Sequence, residues 1–269
     1  MALLMECPRH HRPHLTRAAG NDNFHGIIII NVFTENNKPA KRGRPPGRTA
    51  AGEATRRKLH ETAIRLIGER GYQATTLRDV ATRAGVSPGL LYRYFPSKRS
   101  VVLALYDEVS DAFAKEAAGM PAGKWRDRVM YALETSLRAL GPHRVTLRAL
   151  VPVMVGDVDE GVFAQSTAFS RTRVQAVFRS AVVNASDAPA QKLAEALGRL
   201  LYLMHLGVIL WWLLDKSPGQ RATQGLLSLL KRMLPSATLA LRLPLVRGAV
   251  QSANMLFGEA LLDGLESEF

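Results

Sequence analysis

Two helix-capping signals in close succession constrain the fold more than any other feature of the sequence. Thr76 is followed three residues later by Asp79, a pairing that begins a helix as a capping box, and Gly85 is suited to end that helix. Ser87 followed by Pro88 begins another helix, because serine caps an N-terminus and proline is tolerated at the first helical position. The two helices are short and separated by a tight turn, which predicts a helix-turn-helix.

Residues 76–95 are therefore predicted to form this motif, and Pro96 ends its second helix by disfavouring helical backbone at the preceding residue. Apolar residues at helical spacing predict an earlier helix that stops at Gly71, and Ser97 begins a fourth helix. Alternating strand patterns are scarce, so we expect an all-α protein. Further helices are predicted over residues 124–140, 143–155, 161–184, 189–215, 219–234 and 248–264.

Basic charge is concentrated just before and within the motif. The net charge is +13, of which residues 38–52 carry +5 and residues 53–99 carry +6. This placement favours a polyanion-binding surface, with a solvated basic face as the alternative. Residues 1–37 show no sustained period and are interpreted as a disordered leader. Residues 38–52, rich in proline and glycine, are interpreted as an extended basic arm.

The second helix of the motif presents side chains that suit DNA. Leu91 and Phe95 are four residues apart and should face inward, leaving Arg93 outside, where its fork fits guanine O6 and N7. Taken alone, an arginine such as Arg93 is more often a solvated charge, and Tyr92 is equally consistent with a core or surface aromatic, so the DNA-binding interpretation depends on the whole set of residues. The residues assigned to DNA binding are Thr76, Arg78, Ser87, Pro88, Gly89, Leu90, Tyr92, Arg93, Tyr94 and Lys98.

Residues 54–109 resemble the DNA-binding domain of the TetR family. The matching motifs are ERGY at 69–72, TTLRDVA at 75–81, AGVSPGLLYRYF at 84–95 and PSK at 96–98. The resemblance implies that the helix beginning near Ser87 enters the major groove of operator DNA. It also implies that Tyr92, Tyr94 and Lys98 touch phosphates, although many relatives have histidine where this chain has Tyr94.

The arm contains a second candidate DNA contact. Lys41-Arg42-Gly43-Arg44-Pro45 is similar to an AT-hook core, in which an Arg-Gly-Arg turn enters a narrow minor groove. We assign Lys41, Arg42 and Arg44 to this contact, with an idle linker as the alternative.

The sequence predicts a DNA-binding domain over residues 53–113 and a helical effector-binding and dimerisation domain over 120–269. Leu200–Leu214 is apolar nearly all round, and fifteen residues are fewer than the roughly twenty of a membrane helix. We therefore expect a buried helix, no membrane partner, and a homodimer seam within residues 189–234. The family resemblance adds a small-molecule effector, which would favour a conformation that leaves the operator, with the fourth helix, 98–118, transmitting the change.

Six side chains of the body, which mix apolar area with a few polar groups, are candidates to line the effector pocket, although aromatic residues at helical spacing more often belong to an ordinary core. His205 in particular fits a hydrogen-bonded core histidine. The candidates are Tyr131, Met154, Phe163, Phe169, Phe178 and His205.

Nothing in the sequence favours an enzyme. Glycine-rich phosphate loops, serine-hydrolase elbows and zinc-protease motifs are absent, and no cofactor or metal is predicted. Asp157, Asp159 and Glu160 are interpreted as a charged turn between helices. Cys7 is the single cysteine, which suits a reducing cytoplasm. The remaining alternative is a DNA-binding protein without an effector, such as a nucleoid-type binder.

Overall fold

A computed structural model describes residues 49–261, in which helices are the only regular secondary structure. The predicted leader over residues 1–37, and Lys41, Arg42 and Arg44 of the predicted arm, lie outside the described residues. The described end of the arm is not extended as predicted, because α1 begins at Ala50.

The first four helices confirm the boundaries that capping residues predicted. They are α1 (Ala50–Arg70), α2 (Leu77–Ala84), α3 (Pro88–Tyr94) and α4 (Lys98–Ala117). Gly85 adopts the left-handed conformation that lets the chain leave α2, with φ 69° and ψ 37°. The helix-turn-helix is thus fixed by local chemistry.

Seven further helices form the described part of the body. They are α5 (Trp125–Leu140), α6 (Arg144–Ala149), α7 (Val151–Gly156), α8 (Ala168–Val183), α9 (Gln191–Leu214), α10 (Arg221–Ala240) and α11 (Pro244–Leu261).

Three of the predicted body helices were wrong in extent. The helix predicted over 143–155 breaks at Leu150, ahead of Pro152, into α6 and α7. The helix predicted over 161–184 begins only at Ala168, because the preceding residues fold into turns in which Gly161 N–H donates to the Asp157 carbonyl. Conversely, α10 continues through Pro235 rather than ending at residue 234.

Helix α4 joins two hydrophobic cores. Its N-terminal half contributes Leu105 to the core that also contains Leu91 and Phe95 of the motif. Its C-terminal half contributes Phe113 to the core of the body, beside Phe178. Any shift of α4 is therefore felt by both cores, because close-packed interiors transmit displacement.

Helix α9 is longer than the apolar run that predicted it. At 24 residues it is long and apolar enough to cross a membrane, so the argument from fifteen residues was wrong. Half of its apolar window is nevertheless buried inside the protein, as in the core helix of a soluble domain. Its exposed apolar side chains cluster toward the C-terminal end, where Trp211 is 49% and Leu214 is 50% exposed.

Candidate DNA-binding surface and effector cavity

Reciprocal hydrogen bonds hold the start of α2. The Asp79 N–H donates to Thr76 Oγ1 at 3.2 Å, and Asp79 Oδ2 accepts from Thr76 N and Oγ1 at 2.9 and 2.7 Å. These bonds favour the ionised carboxylate and lower the pKa of Asp79. Thr76 therefore has a clear capping role, whereas its assignment to DNA binding stays a prediction. Arg78, the second residue of α2, is exposed.

The recognition helix α3 buries one face and presents the other. Leu91 and Phe95 are fully buried, as predicted, while Arg93 is exposed and Tyr92 is 47% exposed. Pro88 and Gly89 are also exposed at the start of the helix. The outer face thus combines a guanidinium, a phenol and close access to the backbone, which suits a nucleic-acid groove.

The N-terminus of α3 offers a donor for phosphate. Ser87 Oγ accepts the Leu90 N–H at 3.2 Å, so its own O–H proton stays available to donate outward. The positive end of the helix dipole lies at the same place. Leu90 itself is half-buried, so it belongs only partly to the outer face on which the sequence placed it.

Tyr94 is likewise half-buried and packs against the core of the motif. Like Leu90, it is therefore only partly available on the solvent-facing side of α3. A methyl group at Gly52 would lie 3.4 Å from Tyr94 Oη, so the hydroxyl sits over the first turn of α1. Thr49 caps that turn by accepting the Gly52 N–H at 3.2 Å. Sequence reasoning started the domain at residue 53 and missed this turn, although a threonine before two alanines is a capping signal.

Lys98 is turned inward rather than toward solvent. Its Nζ donates to the carbonyl oxygens of Tyr72 at 2.6 Å and Thr75 at 3.1 Å, and lies 4.2 Å from the Tyr72 ring centroid. Burial lowers the pKa of this ammonium group. Two of its three protons hold the turn before α2 against the start of α4. Only one is left for the phosphate contact that the resemblance implied.

A cavity of about 100 Å³ lies inside the body, bounded by α4, α5, α6, α7, α8, α9 and the segment between α7 and α8. Met154 and His205, two of the predicted pocket residues, line it. Sequence reasoning missed most of the lining, because contributions from six helices meet only through packing. The missed side chains with polar groups include Tyr106, Ser110, Ser136, Thr167, Ser170, Arg171 and Tyr202.

The other four predicted pocket residues do not line this cavity. Phe178 is fully buried in the core, with its ring 4.6 Å from that of His205. Phe163 packs edge-on against Phe257 at 6.2 Å, Phe169 is 40% exposed, and Tyr131 is half-buried elsewhere. Phe178 and Phe163 pack in the hydrophobic core of the body, and composition alone does not distinguish such packing from ligand contact.

His205 combines the two roles weighed for it. Its Nε2 is 2.7 Å from Ser136 Oγ, as expected of a hydrogen-bonded core histidine, yet the ring also lines the cavity. Complete burial lowers its pKa to about 3, so the ring is neutral near pH 7. Its Nδ1 and the Tyr106 hydroxyl are buried without a hydrogen-bond partner among the described residues.

A turn links the cavity to the DNA-binding domain. Residues 157–162 follow α7, and the side chains at either edge, Met154 and Val162, line the cavity. Within the turn, Glu160 Oε2 accepts a 2.6 Å hydrogen bond from the Tyr72 hydroxyl. Arg99 donates to the Asp159 carbonyl at 2.9 Å. The predicted charged turn is confirmed, and its charges contact the DNA-binding domain rather than solvent alone.

The capped helix-turn-helix exposes one face of its second helix and is joined by α4 to a helical body, which is the architecture of a helix-turn-helix DNA-binding domain with an appended helical domain. Residues 59–105 match the model of the bacterial regulatory proteins of the tetR family. The match identifies this segment as a tetR-type DNA-binding domain, and the helical body lies outside it.

Three relatives illustrate the likeness. The transcriptional repressor KstR2 of Rhodococcus jostii is 36% identical over 43% of this chain and 49% of its own length. The regulator BetI of Rhizobium meliloti is 38% identical over 32% of this chain and 44% of its own length. The chain thus spans about half the length of these relatives. A tetR-family regulator from Streptomyces coelicolor shares the fold, with a TM-score of 0.51 and 21% identity over 79% of this chain and 96% of the other.

Proposed function

We propose that this protein is a dimeric repressor that binds a palindromic operator and leaves it when a small-molecule effector fills the cavity of the body. The observation that carries the proposal is α4. It begins against the helix-turn-helix at Lys98 and lines the cavity with Tyr106, Val109 and Phe113. One rigid element therefore contacts both the candidate effector site and the candidate DNA-binding domain.

DNA binding is assigned to the exposed face of α3. Arg93 reads base edges in the major groove, and Ser87 and Tyr92 hold phosphates that set the register. Tyr94 Oη, beside the first turn of α1, supplies a further phosphate contact. The basic arm with Lys41, Arg42 and Arg44 is proposed to reach the adjacent minor groove.

Dimerisation is assigned to α9 and α10. Trp211 and Leu214 on α9, and Leu229 and Met233 on α10, leave large apolar surfaces exposed in the single chain. A two-fold seam buries such surface on both copies at once. It also sets the distance between two recognition helices, which a palindromic operator requires to match one helical turn of DNA.

Release of the operator DNA is assigned to two connections between the cavity and the DNA-binding domain. The first is α4, and the second is the 157–162 turn with its Tyr72–Glu160 bond. An effector that binds better to one arrangement of these elements shifts the protein toward that arrangement by its differential affinity. If that arrangement misplaces the recognition helices, effector and operator oppose each other reciprocally.

The experiment is fluorescence-anisotropy binding to DNA that flanks the gene, compared with a scrambled duplex, at near-physiological salt. We expect at least a hundredfold preference for the flanking DNA, and a half-site deletion should abolish tight binding. Equal affinity for both duplexes, tracking salt alone, would instead identify a general DNA-binding protein. Arg93→Ala should weaken binding to the flanking DNA, and Arg138→Ala, altered in the body, serves as the matched control for loss of one arginine.

A further inference from the structure

Two buried polar atoms on side chains that line the cavity indicate the kind of ligand that binds there. Tyr106 Oη and His205 Nδ1 are buried and unpartnered among the described residues, and both side chains line the cavity. A buried polar atom without a partner is costly and uncommon in a native protein. Two at one cavity indicate that a ligand supplies the missing partner.

The hydrogen bond of Ser136 indicates what His205 offers. The His205 ring is the one hydrogen-bond partner of the Ser136 hydroxyl in the described part of the chain. We assign the hydroxyl as the donor to Nε2, because a hydroxyl that only accepted would leave its own buried proton without a partner. A neutral ring that accepts at Nε2 carries its proton on Nδ1. His205 therefore presents an N–H donor, and Tyr106 presents an O–H donor, so the complementary ligand group is an acceptor.

Charge and size restrict the ligand further. Arg171 is the one formally charged side chain among the described lining residues, and its Nη1 donates to the Val162 and Ala164 carbonyls. The remaining surface is dominated by aliphatic and aromatic side chains. The volume of about 100 Å³ is near the roughly 150 Å³ of an engineered cavity that binds benzene.

Resting on the effector-released function proposed above, we infer that the effector is an uncharged, largely apolar compound of about one ring that carries a hydrogen-bond acceptor oxygen, bound by Tyr106 and His205. A ketone, lactone or ether fits this description. A carboxylate or a phosphate ester does not, because the one charged lining side chain, Arg171, already donates to two backbone carbonyls and burial of an ion against apolar walls is unfavourable.

The test uses three probes of similar shape on the full chain: cyclohexanone, methylenecyclohexane, which lacks the oxygen, and cyclohexanecarboxylate. Binding is measured by NMR titration of the parent and of Tyr106→Phe. The substitution should weaken cyclohexanone binding about fivefold, the effect of one hydrogen bond, and change methylenecyclohexane binding less than twofold. Cyclohexanecarboxylate should bind at least roughly tenfold more weakly than cyclohexanone.

Two internal checks separate ligand contact from a structural role. Tyr106→Phe removes an unpartnered atom, so its thermal midpoint should equal or exceed that of the parent. Tyr131→Phe, outside the cavity, should leave all three affinities unchanged. In ¹⁵N-histidine spectra the His205 signal, identified by its loss in His205→Gln, should show a protonated Nδ1 that shifts when cyclohexanone binds.

The inference is overturned if Tyr106→Phe weakens the ketone and the alkene equally, if the carboxylate binds most tightly, or if none of the probes binds. Failure of the proposed function would look different. It would appear as absence of operator preference in the anisotropy assay, which uses none of these probes.

Discussion

The Tyr72 hydroxyl donates a 2.6 Å hydrogen bond to the Glu160 carboxylate, which ties the turn after α1 to the turn after α7. Glu160 is almost fully buried, so this bond supplies a partner that the carboxylate needs. Lys98 packs over the ring of the same tyrosine. Tyr72 thus contacts both the start of α4 and the 157–162 turn beside the cavity. A displacement of either element is therefore transmitted to the other.

Removal of the Tyr72–Glu160 hydrogen bond should weaken the proposed coupling between effector binding and operator binding. Tyr72→Phe keeps the ring under Lys98 but leaves Glu160 without its donor, so we expect the free energy of unfolding to fall by about 1–2 kcal/mol. We also expect an effector to reduce operator affinity less than it does in the parent. Urea unfolding and anisotropy measure the two effects. Tyr131→Phe, another half-buried tyrosine, is the control, and equal coupling in the two variants would contradict the prediction.

The base recognition proposed for Arg93 should depend on the guanidinium fork of the side chain rather than on its charge. Arg93→Lys keeps the charge, so the salt dependence of binding should stay the same. The bidentate contact is lost, which should cost about 1–3 kcal/mol of discrimination at one operator position. Affinities for a set of single-base operator variants measure this, with Arg138→Lys as the control. Unaltered base preference in Arg93→Lys would show that this side chain contacts phosphate only.

Acid should destabilise the protein through His205. Its pKa is lowered by burial to about 3 in the fold, against about 6.5 in the unfolded chain. The unfolded state therefore binds the proton first, and this contribution to stability, complete above pH 6.5, is lost as the pH falls toward 3. The slope is about 1.4 kcal/mol per pH unit. Urea midpoints at pH 7 and 5 should differ more in the parent than in His205→Gln. An equal pH dependence in both would place the titration on another group.

The proposed dimer seam predicts a change of assembly. Trp211→Glu places a charge in the apolar surface that is proposed to pack against its copy across the two-fold axis. The substitution should raise the dimer dissociation constant at least roughly tenfold. Operator affinity should fall with it, because one half-site alone is bound. Sedimentation velocity measures the assembly, with Val158→Glu, at a valine that is 87% exposed, as the control. A Trp211→Glu protein that remains dimeric would place the seam elsewhere.

The helix-turn-helix was predictable because its boundaries are set by residues close in sequence. Thr76 with Asp79, Gly85, and Ser87 with Pro88 each determine backbone within three or four positions, and the structure reproduces all of them. The same local logic failed at Pro235, where the helix continues past a proline. It also failed at Gly161, where turns replace the predicted helix start.

The cavity was harder to predict because its lining is a property of packing. Tyr106 on α4 and Tyr202 on α9 lie 96 positions apart in the sequence and line the same cavity only because of the packing of the body helices. An aromatic residue in an apolar helix is consistent with either a pocket or a core, and Phe178 is fully buried in the core. Similarly, Lys98 looks like a phosphate contact from its motif, and only the fold shows that two carbonyls hold it.

Helix α9 places His205, Leu206 and Ile209 on the cavity, while Leu210, Trp211 and Leu214 emerge at the surface one residue further along. Under the proposed function, selection for a new effector and selection for subunit pairing therefore act on adjacent codons of one segment. Substitutions that retune chemical sensing will tend to carry side effects on assembly. Divergent regulators built on this plan should change the two properties together rather than one at a time.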